Sequence, residues 1–358
     1  MSGMWGNNIK ISIFGESHGN AIGINIDGLP AGFKIDMDKV MLEMTRRAPG
    51  KSPLSTTRKE EDKPEILSGY FEEKTTGTPL CAIIRNSNTK SKDYSKTKDL
   101  MRPGHADYTG YMKYGGFNDY RGGGHFSGRI TAPLVFAGAI CKQILEKQGI
   151  FILAHVNSIG KVKDKSFLEV NINRNLIESF KGKELPLIDS SLEELMRNEV
   201  LEARKDMDSV GGTIECAVLG IKPGIGNPFF DSVESTIAHL MFSVPAVKGI
   251  EFGKGFDISK MRGSEANDEY YLDNEEIKTR TNNNGGILGG ITNGMPIIFN
   301  VAIKPTASIF KEQKTVNIAN MKEETLNIEG RHDPCIVQRA LPVIEAVTAI
   351  GMLELINS

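Results

Sequence analysis

Residues 213–221, TIECAVLGI, run into Lys222-Pro223-Gly224-Ile225-Gly226, and residues 21–27, AIGINID, run into Gly28-Leu29-Pro30-Ala31-Gly32. Short runs rich in Ile and Val that end in Pro-Gly clusters read as strands entering turns. A helix signal follows each turn. In the first case Asp36 or Asp38 can cap it, Val40, Met41 and Met44 supply an apolar face, and the chain must leave helix before Pro49. In the second, residues 229–242 form an amphipathic helix that ends before Pro245. The correspondence continues. Gly77-Thr78-Pro79 opens the apolar run LCAII, which ends in Arg85, and Gly294-Met295-Pro296 opens IIFNVAI, which ends in Lys304. A long helix is then expected from about Thr131 to Glu146, stopped at Gly149, and another from about Pro334 to Ile356. Two similar halves, about 10–150 and 212–356, point to an internal duplication with insertions. Between them residues 160–210 are charged and helical around SSLEELMRNEVLEARKDM. No Ser- or Pro-rich linker divides the chain, so residues 1–358 are expected to form a single unit.

Composition narrows the functional classes. The 358 residues carry 43 Lys+Arg against 45 Asp+Glu, and a net charge of -2 does not suit a general nucleic-acid or membrane-surface binder. The four cysteines are widely spaced, without a CxxC pair, and read as reduced and mostly structural, which suits the cytoplasm. No signal peptide or transmembrane helix is expected. Glycine is in excess, 38 residues, and it clusters at 122–124, 211–212, 285–286 and 289–290, where backbone must pass close to something.

Three loops concentrate the chemistry. Gly15-Glu16-Ser17-His18-Gly19 lies between two strands, its glycines leaving Ser17 and His18 accessible; it is not a hydrolase nucleophile elbow. The second loop runs from Arg102-Pro103-Gly104-His105-Ala106-Asp107 through Asp119-Tyr120-Arg121-Gly122-Gly123-Gly124 to His125-Phe126-Ser127-Gly128-Arg129. It belongs to a stretch with a local excess of positive charge, and its glycines and guanidiniums suit phosphate or carboxylate. The third is Gly330-Arg331-His332-Asp333-Pro334, preceded by Lys304-Pro305-Thr306-Ala307-Ser308. Asp333 as N-cap with Pro334 at the first helical position is sufficient reason for that sequence, although a helix N-terminus also favours anions. The six histidines form no HExxH or other metal pattern, so a cationic site without metal is expected; His155 and His239 read as packing residues.

In order along the chain, GESHGNAIGINIDGLP, RPGHAD, DYRGGG, KPTAS and GRHDPC resemble chorismate synthase, over about residues 10 to 355. The resemblance implies an α+β fold, a layered α/β sandwich assembled as a homotetramer. It implies conversion of 5-enolpyruvylshikimate 3-phosphate to chorismate and phosphate on reduced FMN, with His18, His105 and Asp333 as catalytic residues. Ser17, Arg47, Arg102, Arg129 and Arg331 would bind substrate. His125, Phe126, Ser127, Gly289, Lys304, Pro305, Thr306, Ala307, Ser308 and Arg331 would bind FMN. The chain departs from the family where many members carry Arg-Ser-Ser-Ala-Arg after the glycines, and at Ala48 and Pro53, where many have Arg. With no nicotinamide-dependent reductase segment in the sequence, reduced flavin is expected from an external system rather than from NADPH on this chain. Two other classes remain open: a noncatalytic flavin- or anion-binding protein on the same scaffold, and a single-stranded nucleic-acid binder using the basic aromatic stretch.

Overall fold

The computed structural model describes residues 3–50, 54–55, 61–86, 98–328 and 332–358. Its core is four layers deep, sheet, helices, helices, sheet. The first sheet contains β1 (Met4–Trp5), β2 (Lys10–Gly15), β3 (Ala21–Asp27), β4 (Pro64–Ser68) and β5 (Leu80–Arg85), in the order β1-β2-β3-β5-β4. The second contains β6 (Phe151–Ile159), β7 (Val162–Lys163), β8 (Gly212–Leu219), β9 (Val247–Phe252) and β10 (Ile297–Ile303), in the order β9-β10-β8-β6-β7. All neighbours are antiparallel. Set aside the short edge strands β1 and β7, and the two sheets share one strand order.

Alternation explains which face of each strand is buried. Ile22, Ile24 and Ile26 of β3 are fully buried against the helices, as are Ile214, Cys216 and Val218 of β8. Helix α1 (Met37–Arg47) starts where Asp36 accepts from the amides of Asp38 and Lys39 and stops before Pro49, as its sequence predicts. Helix α3 (Thr131–Glu146) is apolar on nearly every side and is buried all round. It packs on the first sheet and on α6 (Val337–Ile356), which covers the second; α1 packs on both helices and α5 (Val233–Ser243) on α6. The close approach needs Gly138: a Cβ there would stand 2.3 Å from the Cβ of Ala346. Helix α4 (Glu193–Lys205) buries Met196 and Val200 and packs on β6 and β7, whereas α2 (Asp107–Tyr114) buries only Gly110.

Three expectations need correction. The last helix begins at Val337, not Pro334, and Ile336 precedes it without a side-chain cap. Asp333 is gripped instead by Nη1 of Arg339, and the Pro334 carbonyl accepts from Val210 N at 2.9 Å, which holds this segment out of helix. The helix expected at 229–242 begins at Val233, where Ser232 caps it. His155 is buried, but not among apolar groups alone: Nε2 bonds Glu215 at 3.0 Å and Nδ1 lies 3.3 Å from Asp164. His239 does pack, edge-on to Trp5. All four cysteines are free, and burial pushes the Cys141 thiol up to about 12. Among the described residues no helix is long and apolar enough to cross a membrane.

Candidate active site

The glycine run is where the motifs meet. Gly122, Gly123 and Gly124 have φ of 63°, 106° and 54°, backbone that L side chains rarely adopt. A Cβ on Gly122 would fall 2.1 Å from Cε1 of His18 and 3.0 Å from Oγ of Ser17. One on Gly123 would fall 3.2 Å from both Cε1 and Nε2 of His105. Bare backbone therefore threads between two imidazoles whose residues lie far apart in sequence.

Each imidazole comes from a loop that is itself tied down. Ser17 and His18 follow β2 and are nearly buried, with Ser17 Oγ 3.1 Å from His18 Nδ1. Ser17 N donates to the Gly124 carbonyl at 3.1 Å, and His125 Nδ1 donates to the Gly15 carbonyl at 2.8 Å. Asn86 closes the loop by donating to the carbonyls of Glu16 and Gly19. On the other side, His105 stands in the turn before α2. Its Nδ1 is 2.7 Å from Oδ1 of Asp107, while Arg102 donates from Nε and Nη2 to the two oxygens of the same carboxylate, each at 2.7 Å. Burial alone would raise the Asp107 carboxyl; the hydrogen bonds from Arg102 and His105 outweigh it and hold the group well below the usual carboxylate range.

The loop after β10 joins this cluster. Lys304 Nζ donates to the Gly104 carbonyl, and a Cβ on Gly104 would touch Ala307. Ser209 Oγ donates to the Thr306 carbonyl at 2.7 Å, while the buried Oγ1 of Thr306 has no hydrogen-bond partner among the described residues. Ser308 is buried, and the rings of Phe310 and His332 lie 5.5 Å apart. The Asp333 segment is bound in turn by Arg339, whose Nε donates to the Arg47 carbonyl at 3.2 Å.

Arg47 and Arg129 are buried and share one carboxylate, that of Asp62. Arg47 also donates to Thr131 Oγ1 at 3.2 Å and the Gly128 carbonyl at 3.0 Å; Arg129 donates to Asn86 Oδ1 at 3.0 Å. Burial would raise the Asp62 carboxyl, but the two guanidiniums prevail and lower it. The sequence-based choice of substrate residues thus collects Ser17, Arg47, Arg102 and Arg129 in one region, but it missed Asp62 and Asp107, the carboxylates that hold three of them. Asp107 was within view, two places after a singled-out histidine; Asp62 follows two glutamates and reads as a solvated charge run. Arg331 and Pro53 lie outside the described residues. Among the described residues, no contact of a Cβ at Gly289 ties it to the others; its hairpin packs through Gly290 on Asn227 and Ser232.

The family model for chorismate synthase matches residues 9–356. The chain is 45% identical to the chorismate synthase of Dehalococcoides mccartyi, over 99% of this chain and 96% of that protein. It is 46% identical to those of Methanocaldococcus jannaschii, over 98% and 95%, and Pyrococcus abyssi, over 98% and 96%. A crystal structure of chorismate synthase superposes with a TM-score of 0.75 at 28% identity, covering 98% of this chain and 92% of that one. The chain belongs to the chorismate synthase family. It is an enzyme with that family's α+β fold.

The His125-Phe126 pair, where the resemblance implied Arg-Ser, has local partners. His125 ties the glycine run to the end of β2, and Phe126 packs against Tyr114 and over Gly110, where a Cβ would come within 2.7 Å of its ring. Ala48 ends α1 by donating its amide to the Met44 carbonyl.

Proposed function

We propose that this chain catalyses the anti 1,4-elimination of phosphate from 5-enolpyruvylshikimate 3-phosphate to give chorismate, with reduced FMN, as a carbon–oxygen lyase of the shikimate pathway. The observation that carries the reading is the placing of His18 and His105 on either side of one glycine run, with the Lys304 loop bonded to the His105 turn. In the reaction the C3–O bond to phosphate and the C6–H bond break, a new double bond forms, and no net oxidation occurs. Reduced FMN, when bound, supplies electron density to the substrate and a base for the C6 proton.

The chain's residues suit the remaining tasks. His18, with Nδ1 beside Ser17 Oγ, gives a proton to the departing phosphate. His105 keeps the reduced flavin in its reactive protonation state, and Asp333 assists at the flavin. Arg47 and Arg129, gathered by Asp62, supply the positive field for substrate anions, with Arg102 and Arg331. The flavin phosphate is assigned to the 304–308 loop, where Lys304 and Ala307 lie beside Gly104, Ser308 is buried and the Thr306 hydroxyl has no hydrogen-bond partner among the described residues; His125, Phe126, Ser127 and Gly289 belong to the reading through the family pattern. A homotetramer in the cytoplasm and an external source of reduced flavin complete it, and the shared strand order of the two sheets supports their origin by duplication.

The test is anaerobic. Purified protein, 5-enolpyruvylshikimate 3-phosphate and photoreduced FMN should give chorismate and phosphate in equal amounts, and oxidised FMN none. Absence of product with flavin demonstrably bound would leave a noncatalytic flavin-binding protein.

A further inference from the structure

One carboxylate in the site has no role in that chemistry, yet it receives four hydrogen bonds. Asp107 accepts from Arg102 Nε, Arg102 Nη2 and the Arg102 amide, and lies 2.7 Å from His105 Nδ1. Helix α2 begins at Asp107, and a negative charge in a first turn is favourable there. That accounts for an acidic residue, not for an imidazole aligned on it. Arg102 Nη2 is also near His105 Nδ1, at 3.2 Å, and a guanidinium only donates, so it would call for a lone pair on that nitrogen. The carboxylate only accepts, so it calls for a proton there. The shorter contact, to a charged acceptor, decides between them: Nδ1 carries the proton. The other nitrogen, Nε2, then faces the bare backbone of Gly123, where a Cβ would intrude at 3.2 Å.

We propose that Asp107 is a positioning residue that fixes the His105 tautomer, Nδ1–H bound to the carboxylate and Nε2 presented to the reaction space, with Arg102 locking the carboxylate in place. This rests on the reading of His105 as a group of the reaction. It also gives Arg102 a task besides substrate binding, since its Nε and Nη2 are committed to Asp107. The logic is that of catalytic triads, in which an aspartate holds a histidine in one tautomer and orientation without taking its proton. An asparagine at 107 would invert the arrangement: Arg102 demands an oxygen, so the amide NH2 would face His105 Nδ1 and favour the Nε2–H form.

Two measurements test this. The protein has six histidines, so histidine-selective 15N spectra, assigned with His105→Gln, read the neutral ring directly. The wild type should show Nδ1–H at His105 and Asp107→Asn should show Nε2–H; Nε2–H in the wild type overturns the proposal without any variant being made. In turnover, Asp107→Asn should lower kcat by about 10²-fold or more, leave the substrate KM and the FMN dissociation constant within about threefold, and regain part of the rate as Asp107→Glu. Unchanged kcat in a folded Asp107→Asn protein also overturns it. If the wild type makes no chorismate, the reaction assignment falls, while the spectra still decide the tautomer.

Discussion

A methyl group added at Gly122 would land 2.1 Å from His18, with neither partner free to retreat, because the loop carrying His18 is bonded at Gly15, Ser17 and Gly19. Gly122→Ala should therefore displace the imidazole and lower kcat/KM by about 10²-fold or more, the usual result of an ångström-scale misplacement. Its urea midpoint should change far less than its rate, and retained activity would remove His18 from the reaction. At this scale the sequence singled out side chains that the fold brings together, and it was poor about what holds them. His18, His105 and the glycines stand out because rare residue types cluster there. Asp62 does not, since its partners at 47 and 129 are distant in sequence and only the fold brings two guanidiniums to one carboxylate.

Elements were most legible where the chain signals both start and stop. Helix α3 occupies Thr131–Glu146 as read, an apolar run ended by Gly149. The start of α6 was misread because Asp333-Pro334 has good capping chemistry, and the contacts of Arg339 and Val210 prevail over it. His155 was taken for packing because its strand neighbours are apolar; its partners arrive from β8 and from the loop after β7. Burial acts to lower the His155 pKa, but Asp164 and Glu215 raise it above 6.5. A pKa raised on folding means stability present in full below the unfolded value and lost as pH rises through the folded one. Asp164 also accepts from the amides of Ile188 and Asp189, so the segment over β6 is held by the same charge. Hydrogen exchange at those two amides should accelerate with pH above that window more than intrinsic exchange does, while α3 amides do not. Equal pH dependence in both would show that the imidazolium does not pin this segment.

Across the whole molecule, the two sheets are joined by charge as well as by apolar packing. Glu345 on α6 accepts from Arg46 on α1 and from Lys142 on α3, and also receives the Ala154 amide of β6 at 3.1 Å. Burial would raise this carboxyl, and the two cations hold it below its ordinary value. Glu345→Ala should leave both cations with Glu43 as their remaining carboxylate and cost about 3–5 kcal/mol, read as a lower urea midpoint in one transition. A loss below about 1 kcal/mol would place the cluster with solvent-exposed pairs. The layering was not legible in the residues alone: repeated turns suggested two alike halves, but nothing in either half says that their helices face each other. That α6 fills the middle bears on how the protein is made. Translation delivers both sheets and α3 before α6, so until then the helix-facing side of the second sheet and one flank of α3 lack their main cover. Residues 337–356 close both surfaces last, so the apolar middle of the fold is completed only by the final stretch of the chain.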